Sequence, residues 1–447
     1  MTTGKEAKPD IVSGSSRRPQ TRPDGEVRTR WAWTEPSVWT RRMLTALENG
    51  VRAGTWHSLI DKLYNRHNLR AAYKRVAANA GAAGVDHVTT DAFAHRLEEN
   101  LEHLHRTLKE GTYRPQAIRR VYIPKPGSKE KRPLGIPTVR DRVVQTALKN
   151  VLEPIFERNF AEQSYGFRPG RNCKDALRRV DALLKGGYSY IVDADLKSYF
   201  DTIPHEKLLA LIRSKVSDGR VLSLIALFLR QGVVDDLAAH VPEAGSPQGA
   251  VVSPLLSNIY LDGLDHLMVE HGFEMVRYAD DFVVLCRSHD EAQQALALVE
   301  CWVEEAELRL HPKKTGIVTH EAGFDFLGYH FEPGHRWPSK KSLGKLKDTI
   351  RGKTKRTNGQ SLDCIIADVN VVLRGWYAYY KHSHRRTFRI IDGWVRMRLR
   401  SILRRRSGGT GPGRGFDHQR WPNAYFASCG LFSLRTAYEL DRQSSLR

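Results

Sequence analysis

Across its 447 residues the chain is 40% hydrophobic, and 71 Lys and Arg against 50 Asp and Glu give a formal net charge of +21. That length and apolar content suffice for two to four packed units, and the charge argues against a small-metabolite enzyme and for a polyanionic partner, because each cation set on a phosphate releases condensed counterions. Five scattered cysteines without a Cys-x-x-Cys pair, and no apolar run near the ~18 residues of a membrane span, argue for a reduced compartment and against a zinc site, a secretory signal or a membrane partner.

Residues 1–35 are rich in Ser, Pro, Gly, Arg and Lys and read as a disordered basic tail. From Ser58 to Leu108 apolar residues recur at helical spacing (Leu59, Leu63; Leu97, Leu101, Leu104, Leu108), broken at Gly81 to Gly84, so residues 36–115 form a helical N-terminal module. Between 116 and 335 the pattern becomes α+β. Strands are expected at Arg120 to Pro124, Tyr188 to Ala194, Met275 to Ala279 and Phe282 to Leu285, and helices at Asp141 to Phe156, Val221 to Leu229 and Asp290 to Leu308. Residues 336–407 turn helical again, with one apolar stripe through Ile365, Val369, Val372, Trp376 and Tyr380 and another through Phe388, Ile391, Val395, Leu399 and Ile402. The Gly-rich stretch opening 408–447 reads as a linker to a short C-terminal nucleic-acid-binding segment.

Chemistry concentrates in two apolar segments that carry acids. Two β-prone runs meet at Asp280 and Asp281, which makes a hairpin tip with adjacent carboxylates. Such a pair repels itself and is best tolerated beside a hard cation. In Tyr190-Ile191-Val192-Asp193-Ala194-Asp195, strand alternation places Asp193 and Asp195 on one face. Together the two segments could hold a pair of Mg2+ ions roughly 3.5–4 Å apart, the arrangement of nucleotidyl transfer. Whether Asp193 touches metal or pairs with a base stays open.

These segments resemble known polymerase motifs. Asp195-Leu196-Lys197-Ser198-Tyr199-Phe200-Asp201 is similar to motif A of reverse transcriptases, Ser246-Pro247-Gln248-Gly249 to motif B and Tyr278-Ala279-Asp280-Asp281 to motif C, in matching order and spacing. Tyr122 to Gly127, Lys131 to Pro137, Ser164 to Arg171, Leu310 to Thr315 and Phe326-Leu327-Gly328-Tyr329 resemble further segments of the same enzymes. Asn68 to Tyr73, Gly81 to Asp86 and Leu373 to Tyr380 resemble the N-terminal extension and thumb of group II intron-encoded reverse transcriptase/maturases, and Trp421 to Phe426 the ending of bacterial members without an endonuclease.

The resemblance implies a right-hand polymerase of α+β fingers and palm, a helical N-terminal extension and an all-α maturase thumb. It implies RNA-directed DNA synthesis with Mg2+ on Asp195, Asp280 and Asp281. Lys125 and Arg132 would clamp the triphosphate, Phe200 would exclude a ribose 2′-hydroxyl, Gln248 and Gly249 would shape the nucleotide site, and Lys314 would protonate the departing pyrophosphate. Arg389, Arg396, Arg400 and Arg404 lie away from the apolar stripe of their helix and read as a basic ridge for nucleic acid. Trp376, Tyr377 and Tyr380 read as thumb core rather than a stacking platform.

The implied partners are group II intron RNA, an RNA template with DNA primer, target DNA and deoxynucleoside triphosphates. The implied setting is the bacterial cytoplasm at the nucleoid, with monomer and homodimer both open. Competing readings are a retron or diversity-generating reverse transcriptase, and a non-enzymatic splicing cofactor.

Overall fold

The computed structural model describes residues 27, 29–51, 54–124, 131–235, 238–240, 244–413 and 415–445. The readings placed on residues 1–26 and on Lys125 fall outside them. Among the described residues no helix is long and apolar enough to cross a membrane, and all five cysteines are free thiols.

Eleven strands form three sheets among the described residues: β1 (Ile118–Pro124), β2 (Lys131–Ile136), β3 (Tyr190–Asp195), β4 (Val233–Asp235), β5 (Ala238–His240), β6 (Glu274–Tyr278), β7 (Asp281–Cys286), β8 (Gly316–Thr319), β9 (Phe324–Phe326), β10 (Tyr329–Glu332) and β11 (His335–Pro338). The central sheet runs β6-β7-β3-β8 and is antiparallel throughout. Its strands read as nearly continuous apolar runs because both faces are covered. Val192, Ala194, Phe282 and Val284 enter the main core with helices Ser253–Glu270 and His289–Glu305, while Ile191, Val276, Val283 and Leu285 pack against helix Cys173–Lys185 and the aromatics of β9 and β10.

Helix Ser253–Glu270 has no counterpart in the sequence reading. Its Ser257, Asn258 and Asp265 are as buried as its Leu256 and Leu264, so it shows no amphipathic period to detect. A second sheet, β2-β1-β4-β5, is built on the β1–β2 hairpin, with β4 joining β1 in parallel. Helix Val139–Glu157 threads the main core, and the N-terminal helices pack on it, Gly84 lying too close to the Thr138 backbone for any side chain.

Two expected boundaries are corrected. Val27 and Trp31, inside the stretch assigned to the basic tail, are buried in the main core, and the Trp31 indole donates to Glu48 at 2.6 Å. The segment after Gly408 is likewise no appended piece. Trp421, Phe426 and Leu434 complete the core of helices Lys340–Lys353, Leu362–Tyr380 and Arg386–Arg406. Asp392 holds it in place, its carboxylate accepting from the backbone N–H groups of Leu434 (3.0 Å) and Arg435 (3.1 Å). An apolar face on that segment, rather than its glycines, decides where it goes.

Candidate active site

In the central sheet, Asp195 on β3 pairs with Asp281 on β7, one residue beyond the Ala194–Phe282 pair. Cross-strand partners project to the same face, and Asp193 shares it. The turn joining β6 to β7 is two residues long, Ala279 and Asp280, since Tyr278 pairs with Asp281. Ala279 sits at φ +60°, a left-handed conformation that an alanine does not favour.

Arg277 holds this turn. It is fully buried, its guanidinium donates to the Ala279 carbonyl (2.9 Å) and to Asn258 (3.0 Å), and it forms a two-pronged ion pair with the buried Asp265. Asn258 in turn donates to the Gly166 carbonyl at 2.8 Å. A Cβ on Gly166 would overlap the Ala279 amide nitrogen, so glycine is required for the approach.

The three sheet acids open into a cleft of about 860 Å³ whose other wall carries Lys313, Lys314, Lys341 and Lys345. Lys314 lies 2.5 Å from Asp195. Asp281 is reached by solvent through the cleft yet ringed by protein. That desolvation, with Asp193, Asp280 and Asp195 close by, pushes its carboxyl up to about 7, against a hydrogen bond from the Leu327 backbone. Burial, Asp195 and Asp325 likewise raise Asp193 to about 6. Crowded acids of this kind form the hard oxygen donor set that suits a divalent cation. Among the described residues, however, no three His, Cys, Asp or Glu side chains converge as a finished metal site; the Lys314 ammonium is the cation that meets Asp195.

A second cavity, of about 410 Å³, lies between β1, β2 and the 244–248 loop. Phe200 is half-buried in its lining with Arg120, Asp201 and Gln248. The loop is locked on both sides: Ser246 N–H donates to the Phe200 carbonyl (2.6 Å), and Gly135 N–H to the Gln248 carbonyl (2.6 Å). Gly249 has φ +107°, and a Cβ there would overlap the Gly135 carbonyl oxygen. Phe200, Gln248 and Gly249 are thus brought together. Lys125 and the Arg132 side chain lie outside the described residues.

The expected basic ridge is broken up. Arg389 is exposed and Arg396 half-buried, but Arg400 is buried, donating to the Trp421 carbonyl and to Asn423 (both 2.8 Å) with its guanidinium over the Phe426 ring. Arg404 pairs with Asp417 at 2.7 Å. The segment 417–428 covers that side of the helix, which a helical projection of the helix alone cannot reveal. Of the aromatics, Tyr377 is buried in the helical core, and Trp376 stacks on Tyr380 at 4.7 Å. The Tyr379 hydroxyl donates to the Leu327 carbonyl (2.7 Å), tying the helical unit to the acid cleft.

Residues 123–331 match the family described as reverse transcriptase (RNA-dependent DNA polymerase), and residues 343–421 match the group II intron, maturase-specific domain. The group II intron-encoded protein LtrA of Lactococcus lactis subsp. cremoris is 41% identical over 201 residues, which cover 44% of this chain and 33% of LtrA. This chain therefore matches about a third of that relative's length. Protein YkfC of Escherichia coli (strain K12) is 32% identical over 387 residues, 76% of this chain and 95% of the relative. A chain of a solved Cas6-RT-Cas1–Cas2 complex covers 56% of this chain and 41% of its own at 26% identity, with a TM-score of 0.36. With a reverse transcriptase domain followed by a maturase-specific domain, and with nearly the whole of one relative matched, the chain belongs to the group II intron-encoded reverse transcriptase/maturase family.

Proposed function

We propose that this protein polymerises deoxynucleotides on an RNA template, and that its maturase-specific region binds a group II intron RNA, assists its splicing and serves its copying into target DNA. The observation that carries the first part is the in-register pair Asp195 and Asp281, with Asp280 in the adjoining turn and the Lys314 ammonium on Asp195. Residues 36–115 act as N-terminal extension, 116–335 as fingers and palm, and the helices after Pro338 as the thumb.

Two Mg2+ ions held by Asp195, Asp280 and Asp281 would supply the activation of the primer 3′-hydroxyl and the neutralisation of the leaving pyrophosphate. The chain's own residues do the rest. Arg277 keeps Asp280 and Asp281 at the turn. Lys314 balances the charge of Asp195 and lies where a proton can pass to a leaving phosphate oxygen. Phe200 and Gln248 form the wall against which the incoming nucleotide stands, with Phe200 closing the space of a 2′-hydroxyl, and Lys125 and Arg132 hold its phosphates.

The test is extension of a DNA primer annealed to RNA, with Mg2+ and deoxynucleoside triphosphates, by the wild type and by Asp280→Asn. Extension by the wild type alone, with RNA binding equal in both, is the expected result; equal extension by both overturns the assignment. The splicing role rests on the maturase-specific match at residues 343–421, and is tested by self-splicing of the cognate intron at low Mg2+ with and without protein.

A further inference from the structure

The β10–β11 hairpin has two ends with different surroundings. Gly328 and Ser339, at one end, border the acid cleft, whereas Gly334 and His335, at the turn, border a separate cavity of about 710 Å³. The two cavities share no lining residue, and the strand rise places them roughly 15 Å apart. The second one is closed by the end of helix Cys173–Lys185, the 382–385 turn and helix Leu434–Ser445.

Its character is aromatic and cationic. The rings of His335 and Trp337 are parallel within 8°, and the His384 ring lies 4.6 Å from each. The platform is fixed from behind: His384 N–H donates to the Arg336 carbonyl (2.8 Å), and the Trp337 indole donates to Glu332. Lys185, Arg336, Arg385 and Arg442 line the cavity against two carboxylates, both already engaged, Asp181 by Arg336 at 2.9 Å and Glu332 by the indole. Lys185 and Arg385 form no ion pair with a described residue. The field is positive enough to act on the histidines: besides burial, Arg336 and Lys381 lower His382, and His335 and Arg385 lower His384.

We infer that this cavity binds an unpaired nucleotide of a nucleic-acid strand, its base stacked on the His335 and His384 rings that line it, with Trp337 packed behind them, and its phosphate held by Arg385 and Arg442. The inference rests on the nucleic-acid function proposed above but on none of its catalytic residues. An anion alone needs no aromatic platform, and a duplex offers no free base face to a concave site, so the combination selects a single strand. The position, one hairpin length from the acid cleft, lets a strand be held there while the cleft is occupied.

The test uses short single-stranded RNA and DNA oligonucleotides, each with one 5-iodouridine, in anisotropy titrations and in photocrosslinking with peptide mapping. His335→Leu is expected to weaken single-strand binding about tenfold or more, while His335→Phe retains it. Arg385→Gln with Arg442→Gln should flatten the slope of log affinity against log salt by about 0.7, one single-strand phosphate's worth. Crosslinks should map to 329–338 or 382–385 in the wild type. Equal binding of both oligonucleotides assigns base and phosphate; an RNA preference adds the 2′-hydroxyl. Extension of a preformed primer-template is read in parallel and should be unchanged in all variants. An unaltered affinity in His335→Leu, or an unaltered salt slope in the arginine pair, overturns the inference. Should His335→Leu unfold, seen by circular dichroism, the exposed arginine pair decides alone. Failure of the wild type to extend primers would instead sink the polymerase reading and leave this binding result standing.

Discussion

Asp195 and Asp281 face one another from adjacent antiparallel strands, and the Lys314 ammonium, from a third element, meets Asp195. Asp281→Asn keeps the shape and removes one repelling charge. Primer extension should fall by about a thousandfold or more, equivalent to about 4 kcal/mol of transition-state stabilisation. In metal-free buffer the same variant should melt at a higher temperature than the wild type, since burial among like charges penalises the ionised acid. Calorimetry with EDTA and an extension assay with Mg2+ check the two halves. A variant that loses activity without gaining stability would place the repulsion elsewhere.

Phe200 lines the 410 Å³ cavity rather than being sealed in the core. Phe200→Ala should therefore raise incorporation of ribonucleotides relative to deoxynucleotides by about tenfold, the worth of a modest steric contact. Single-nucleotide incorporation with both sugars measures it, and an unchanged ratio would return Phe200 to a packing role.

Arg277 separates stability from positioning. Arg277→Met leaves Asp265 charged and buried, at a cost of about 3–5 kcal/mol. Adding Asp265→Leu should recover most of that in chemical denaturation. It should not recover extension, because the Ala279 carbonyl still lacks its donor and the turn is free to leave φ +60°. Full activity in the double variant would show that the turn needs no clamp.

The arginines of helix Arg386–Arg406 should now divide by burial. Arg400→Gln removes bonds to Trp421 and Asn423 and should lower the melting temperature with little change in the salt dependence of RNA binding. Arg389→Gln, on the exposed side, should leave melting unchanged and flatten the salt slope by about one phosphate contact. Melting curves and salt titrations on both variants decide, and the reverse pattern would restore the continuous ridge.

What was legible in the sequence follows from the range of the interactions. Asp193, Asp195, Asp280 and Asp281 could be placed because strand alternation and a two-residue turn are local; the turn falls one residue earlier than expected, on Ala279 and Asp280, and puts Asp281 at the start of β7 in register with Asp195. The four expected strands, β1, β3, β6 and β7, differ from expectation by only one or two residues at their ends. Arg277 has no role that the sequence alone signals, since its partners Asp265 and Asn258 are polar groups inside a helix without periodicity. Arg400 was placed on the wrong side because its covering segment follows a glycine-rich stretch that looks like a linker. Composition marks flexibility there, whereas Trp421, Phe426 and Leu434 mark a docking face.

The late position of Leu434 has a kinetic side. Helices Lys340–Lys353, Leu362–Tyr380 and Arg386–Arg406 leave the ribosome before the residues that seal their core, and at about 5–20 residues per second the gap is a few seconds. During that interval Ile391, Val395 and Leu399 have some of their neighbours and lack the last. The nascent unit is then an open half-shell with apolar and cationic surface exposed together. An RNA present at that moment would meet a different surface from the one the finished chain displays, so the order of synthesis, and not only the final structure, sets when this region becomes selective.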